Sequence, residues 1–188
     1  MPVLISMLRG VNLGPHNRIK MHALRALYQS LKLEAPRTYV QSGNVIFRMK
    51  DSRVTKKTIT QLGGKIQNAI SHKFGLSPAV ILRTSEELRD AIAASPFSGR
   101  KNLDPARLLI TFLARKPAAE ARAKLLALKP NPEELYFVGR EVYIYFPNGI
   151  GRSKLPWASL DLGTPGTARN LNSVSKMLEI AEEMAVAD

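Results

Sequence analysis

Apolar positions along the chain change period several times, and each change marks an element. Residues 3–8 form a short continuous apolar run, fit for a strand, and Met21, Leu24, Leu27, Tyr28 and Leu31 then recur at helical spacing. Residues 37–41 and 45–49 read as two strands around Ser42-Gly43-Asn44, where Gly and Asn favour a tight hairpin turn. Thr55 is placed to cap a helix whose core face is Ile59, Leu62, Ile66 and Ile70, although Gly63-Gly64 weakens it by about 1 kcal/mol per glycine. A strand over residues 79–83 closes the unit. The order βαββαβ is the split βαβ plait usually called ferredoxin-like.

A similar succession follows. Ser85-Glu86-Glu87-Leu88 opens a helix that ends near Ser95-Pro96, residues 108–113 form a buried-type strand and residues 118–128 a helix. Residues 135–138 and 142–146 make a hairpin around Gly139-Arg140, with helical sequence around Leu155 and over 173–184. No residue-level repeat is visible. The expected fold class is α+β, with two ferredoxin-like βαββαβ plait lobes whose mainly antiparallel sheets carry packed helices. The lobes are placed at residues 1–84 and 85–188, and the polar, turn-rich residues 96–105 read as a linker or an exposed loop.

The first strand offers Val3, Ile5 and Met7 on one face and Leu4, Ser6 and Leu8 on the other. RNA-recognition plaits expose aromatic residues on central strands so that bases stack, and nothing here can stack. Phe47, in phase with Val45 and Met49, reads as core. Apolar residues on both faces imply a sheet covered on both sides.

The 188 residues can bury a sizeable core, and no apolar run approaches the roughly 20 residues of a membrane-spanning helix. The start reads as a strand rather than a secretory leader, and a cytoplasmic protein is expected, with no membrane partner. The absence of cysteine removes disulfides, thiolate zinc sites and cysteine nucleophiles together. The net charge of +13 is uneven: residues 1–75 carry 13 Lys/Arg against Glu34 and Asp51, whereas residues 76–188 carry 15 against 13. Such a field attracts phosphates, although a basic helix face is more often simply solvated.

Four loops combine a permissive Gly or Asn with hydrogen-bond donors and hold no acid: Arg9-Gly10-Val11-Asn12-Leu13-Gly14, Gln41-Ser42-Gly43-Asn44, Asn148-Gly149-Ile150-Gly151-Arg152-Ser153-Lys154 and Thr167-Ala168-Arg169-Asn170. That combination suits an anion held against backbone N–H groups. The candidate ligand-binding residues are Arg9, Asn12, Gln41, Ser42, Asn44, Arg152, Ser153, Lys154, Arg169 and Asn170. Arg18 and Lys20 stand beside the first cluster. The third loop is neither a phosphate-binding loop of the GxxxxGK[ST] type nor a dinucleotide fingerprint. Before the last helix, Asn172 reads as the N-cap ahead of Asn170, and Arg169 as the stronger ligand contact.

Conventional catalytic sets are poorly represented. Of the histidines His16, His22 and His72, only His16 stands close to a candidate loop; His22 falls on the polar side of its helix, and the scatter argues against a metal cage. Ser42 and Ser153 have no evident base, and the loops contain no carboxylate for paired-acid hydrolysis. No metal ligand set, catalytic residue or cofactor is identified.

The four loops, in this order, resemble a widespread bacterial family known as domain of unknown function 1697. Its members carry R-G-[IV]-N-[VL]-G, R-T-Y-[IV]-Q-S-G-N-V-[IV]-F, G-x-G-R-S-K-[LF] and T-x-R-N-W-N-T, matched here at residues 9–14, 37–47, 149–155 and 167–173. Leu171 stands where the family usually has Trp, and Ser173 where it usually has Thr. The resemblance implies a two-lobed α+β fold and supplies no activity, substrate or catalytic residue.

Binding of an anionic, phosphate-containing ligand is the leading expectation, with nucleic acid the first partner because of the basic N-terminal lobe. An enzyme acting on a nucleotide or phosphorylated metabolite, with Arg9, Arg152, Lys154 and Arg169 as clamps, is the alternative. A third reading makes the motifs purely structural. A homo-oligomer is left open.

Overall fold

The computed structural model describes residues 1–14, 18–50, 53–128, 131–156 and 161–186. Two compact units emerge, one of Met1–Arg89 with Lys176–Asp188 and one of Asp90–Ser175.

In the first unit the chain runs β1 (Val3–Leu8), α1 (Met21–Ser30), β2 (Glu34–Tyr39), β3 (Asn44–Arg48), α2 (Lys56–Phe74) and β4 (Val80–Thr84), followed by α3 (Ser85–Ala93), whose residues from Asp90 group with the second unit. The sheet order is β2-β3-β1-β4 with every neighbouring pair antiparallel. One sheet face, with Leu4, Leu8, Val45, Phe47 and Leu82, packs against Leu24, Leu27 and Tyr28 of α1 and Ile66 and Ile70 of α2. Tyr28 meets Phe47 edge-on at 5.4 Å between ring centroids, and its hydroxyl shares a 2.7 Å hydrogen bond with Ser6, so the buried polar atoms satisfy one another. Burial raises the Tyr28 phenol well above its ordinary ionisation range. The opposite face, with Ile5, Met7 and Ile46, is buried as well, as the two-sided apolar strand implied.

Thr55 caps α2 through a reciprocal box with Thr58. Of the glycine pair inside α2, Gly63 faces β4, where a Cβ would make an ordinary contact with the Val80 carbonyl at 3.7 Å, and a Cβ on Gly64 would meet nothing.

The second unit contains β5 (Leu108–Leu113), α4 (Ala119–Ala127), β6 (Glu134–Val138), β7 (Glu141–Tyr145) and β8 (Gly166–Asn170), in the equivalent order β6-β7-β5-β8. Its core joins Leu109, Leu113, Leu135, Val142, Ile144 and Phe146 of the sheet to Leu125 of α4. The loop over residues 96–105 belongs to this unit and is anchored by Phe97, which lies 5.4 Å from Tyr136 and 5.7 Å from Tyr145 between ring centroids. Of the helical sequence expected around Leu155, residues 157–160 lie outside the described residues. A 3-10 turn at Ile150–Arg152 precedes it, residues 153–156 have no regular structure, and Pro156 disfavours helical geometry at the residue before it. The last helix, α5 (Leu171–Val186), begins in the second unit, and its residues from Lys176 group with the first. Arg48 of β3 donates to the Met184 carbonyl near its end, with Nε at 3.0 Å, while Arg37 reaches Glu183 at 3.5 Å and Arg89 reaches Glu182 at 2.8 Å.

The register of β1, β3 and β4 is repeated by β5, β7 and β8, whereas the β2–β3 pair carries an irregularity between Glu34 and Arg37 that β6–β7 does not show. Leu8 N–H donates to Gly43 O at 3.0 Å, and Leu113 N–H to Arg140 O at 3.0 Å. Arg9 N–H reaches Ala79 O at 2.9 Å where Ala114 N–H reaches Pro165 O at 2.8 Å, and Met49 to Pro2 is matched by Phe146 to Arg107, both at 3.0 Å. The repeat lies in backbone register, where side-chain identity leaves no trace.

Candidate functional site

β1 and β2 flank β3 and run antiparallel to it, so their C-terminal ends lie at the same edge of the first sheet. The first two loops therefore converge. Asn12 joins them: its Nδ2 donates to Gln41 O at 2.6 Å and to Ile19 O at 3.1 Å, and its Oδ1 accepts from Ile19 N–H at 2.7 Å. The residue adopts φ 56°, a left-handed conformation that Asn tolerates better than most side chains. Beneath the turn, buried Asn44 donates to Ser42 Oγ at 2.9 Å and to Tyr39 O at 3.2 Å. Gly43 lies where the two loops touch. With φ at 74°, a Cβ there would come within 2.9 Å of Leu8 Cβ and closer still to Val11 Cγ2.

These braces wall a cleft of about 560 Å³, lined by Asn12, Gly14, Gln41, Arg18, Ile19 and Lys20, and by Met21, His22 and Arg25 from the first turns of α1. No carboxylate is among those residues. Lys20 is the N-cap of α1 and provides no side-chain cap, and the first turn of the helix holds no acid. The leading N–H groups of α1 have no intrahelical acceptor, and this end of the helix carries partial positive charge. Arg25 is held by Thr38 Oγ1 at 2.8 Å, and Arg18 Nε reaches Gly14 O at 3.4 Å. Val40, the residue before Gln41, has φ 49°, a strained value for a β-branched residue, and is half exposed at 50%.

Of the expected residues, Asn12 and Gln41 line the cleft, Ser42 and Asn44 support it from below, and Arg9 is exposed outside its lining. His16 lies outside the described residues. The sequence reading placed His22 on the polar side of its helix without joining it to the loops, and passed over Arg25. The two stand three residues apart on one face of α1, just after Lys20, and that spacing was the available signal.

The other two stretches belong to the second unit, and the fourth is not a loop, because residues 167–170 are paired along β5 as part of β8. β7 and β8 both run antiparallel to β5, so the Asn148 to Lys154 stretch and the Arg169-Asn170 pair leave the same end of that sheet. Arg152 and Lys154 are exposed, and Ser153 Oγ accepts from Leu155 N–H at 3.1 Å. Arg169 sits on β8 opposite Ile110, with Nη1 donating to Thr167 Oγ1 at 2.7 Å and to Ala168 O at 2.8 Å. Its burial lowers its pKa to about 10, which leaves it charged at neutral pH. Asn170, not Asn172, caps α5, because its Oδ1 accepts from Ser173 N–H at 2.9 Å and the helix begins at Leu171. The assignment of the cap to Asn172 is thus corrected: that residue is already inside the first turn, too late to accept from it.

Among solved structures, a conserved bacterial protein from Streptococcus pneumoniae is similar, with a TM-score of 0.70 at 20% identity, over 96% of this chain and 98% of that one. The likeness is one of fold. No curated protein matches the chain. A family model matches residues 1–143, a span that holds the first two loops and stops short of the third and fourth, and the chain accordingly belongs to the family described as "Protein of unknown function (DUF1697)".

Proposed function

We propose that the protein binds a phosphate-bearing ligand in the cleft of the first unit. The observation that carries this reading is the lining: Arg18, Lys20, His22 and Arg25 gather at the N-terminus of α1 with no carboxylate beside them. Arg18, Lys20 and Arg25 supply charge, His22 and Gln41 supply hydrogen bonds, and Asn12 and Asn44 hold the loops to shape. The volume falls in the range of small-molecule sites, roughly 300–1,000 Å³. In the second unit, Arg152, Ser153, Lys154 and Arg169 are proposed as anion contacts of that unit itself.

A second reading, nucleic acid, draws on charge alone. The first unit holds 16 Lys/Arg against 8 Asp/Glu, a balance of +8, and the second 12 against 7, a balance of +5. Among the residues lining the cleft none is Phe, Tyr or Trp, and a single imidazole, His22, gives no run of rings on which successive bases could stack. The compact ligand is therefore preferred.

Thermal denaturation in phosphate against chloride at matched ionic strength tests the reading. A ligand at one hundred times its Kd stabilises the native state by about 2.7 kcal/mol. Phosphate is expected to raise the midpoint of the wild type and to lose that effect in Lys20→Ala and Arg18→Ala. An equal midpoint in both salts would sink the proposal, and a strongly salt-dependent shift with unrelated oligonucleotides would favour nucleic acid.

A further inference from the structure

Resting on the phosphate reading, we infer that the cleft selects a terminal phosphate, that is a phosphate monoester, over an internal phosphodiester. Three basic side chains, Arg18, Lys20 and Arg25, line a space of about 560 Å³, and no carboxylate among the lining residues offsets them. A diester brings one negative charge and leaves most of that positive charge unmatched. A monoester brings about −1.5 to −2 at neutral pH and three acceptor oxygens, enough to engage several donors at once.

The shape agrees with the charge. Asn12 ties the β1–α1 loop to Gln41 and to Ile19, so two walls of the cleft are fixed to one another rather than opening as a track for a continuing chain. The repeat within the fold supplies an internal comparison. Residues 114–118 suffice to join β5 to α4, whereas residues 9–20 join β1 to α1. The additional length is not needed to connect the same two elements of the same plait, and it carries Asn12, Gly14, Arg18, Ile19 and Lys20, five of the residues that line the cleft. Ile19 and Met21 give part of the lining an apolar character, which suits the organic group of a small ester.

Methyl phosphate and dimethyl phosphate are the decisive probes, since they differ by one ester bond and one charge with almost no organic part. In a titration of isotope-labelled protein followed by backbone amide shifts, methyl phosphate is expected to move the Lys20, Met21 and His22 signals. It should bind at least about tenfold more tightly than dimethyl phosphate. Lys20→Ala should narrow that ratio while leaving the remaining amide spectrum folded. Equal affinity for the two esters would overturn the monoester selectivity and leave the phosphate reading standing. If neither ester moved those three signals, both would fall.

Discussion

Arg83 and Arg169 occupy the same place in the two sheets. Each stands on the last strand of its sheet opposite the third residue of the first strand, Ile5 for Arg83 and Ile110 for Arg169. Each guanidinium donates through Nη1 to the carbonyl of the residue before it, Leu82 at 3.0 Å and Ala168 at 2.8 Å. The next residue in each case caps a helix three positions on: Thr84 Oγ1 accepts from Glu87 N–H at 3.1 Å, and Asn170 Oδ1 from Ser173 N–H at 2.9 Å. Arg169 was read from sequence as a ligand contact, and its counterpart shows that the same position also serves as part of the scaffold.

The two arginines differ in burial, and this orders their contributions. Arg83 is 1% exposed, whereas Arg169 is half-buried. Arg83→Ala leaves a large cavity and is expected to cost about 3–5 kcal/mol, with Arg169→Ala costing less than half as much. Urea unfolding of both variants measures the order. Equal losses would show that the shared geometry, not burial, sets the energy.

Much of the fold was legible because it rests on local signals. The hairpin at Gly43, the box at Thr55 and the two-faced apolar β1 each depend on a few neighbouring residues. The cleft was only half legible. Asn12 and Gln41 carry the chemistry of a turn, but their meeting depends on β1 and β2 flanking β3, a long-range pairing that no local window contains. His22 and Arg25 look like the solvated face of an amphipathic helix until the loop that faces them is in place. At Asn172 two good capping residues stood two positions apart, so that only the start of α5 decided between them.

The cap can be tested by that same choice. Asn170→Ala removes the acceptor of Ser173 N–H and is expected to cost about 1 kcal/mol, while Asn172→Ala should change stability by less than about 0.5 kcal/mol. Denaturant midpoints for the two variants, with unchanged slopes, decide it. A larger loss at Asn172 would move the cap back to that residue.

Asn12 joins stability to binding. Asn12→Asp keeps the acceptor for Ile19 N–H, loses the donors to Gln41 and Ile19, and brings a negative charge to the cationic cleft. The lost donors should cost about 1–2 kcal/mol. Phosphate affinity, read by calorimetry, should fall by much more than that loss explains, because the new charge opposes the anion directly. Asn12→Gly, which keeps the backbone conformation without the charge, separates the two effects.

High pH should weaken the fold through two tyrosines. Burial raises the phenol of Tyr28, whose hydroxyl is shared with Ser6, and that of Tyr143, which donates to Ala91 O at 2.5 Å. Each prefers its neutral form when folded, so its contribution is fully present below about pH 10, the ordinary tyrosine value, and declines as pH rises past it. Arg169 acts in the opposite sense: its pKa is lowered to about 10, and the cost of burying its charge is relieved above that pH. Two groups oppose one, so the midpoint of thermal unfolding should fall above about pH 10. Tyr28→Phe or Tyr143→Phe should each flatten the fall, and absorbance of tyrosinate should show two of the five tyrosines ionising only as the chain unfolds. If all five ionise in the folded protein, the buried phenols do not govern its alkaline stability.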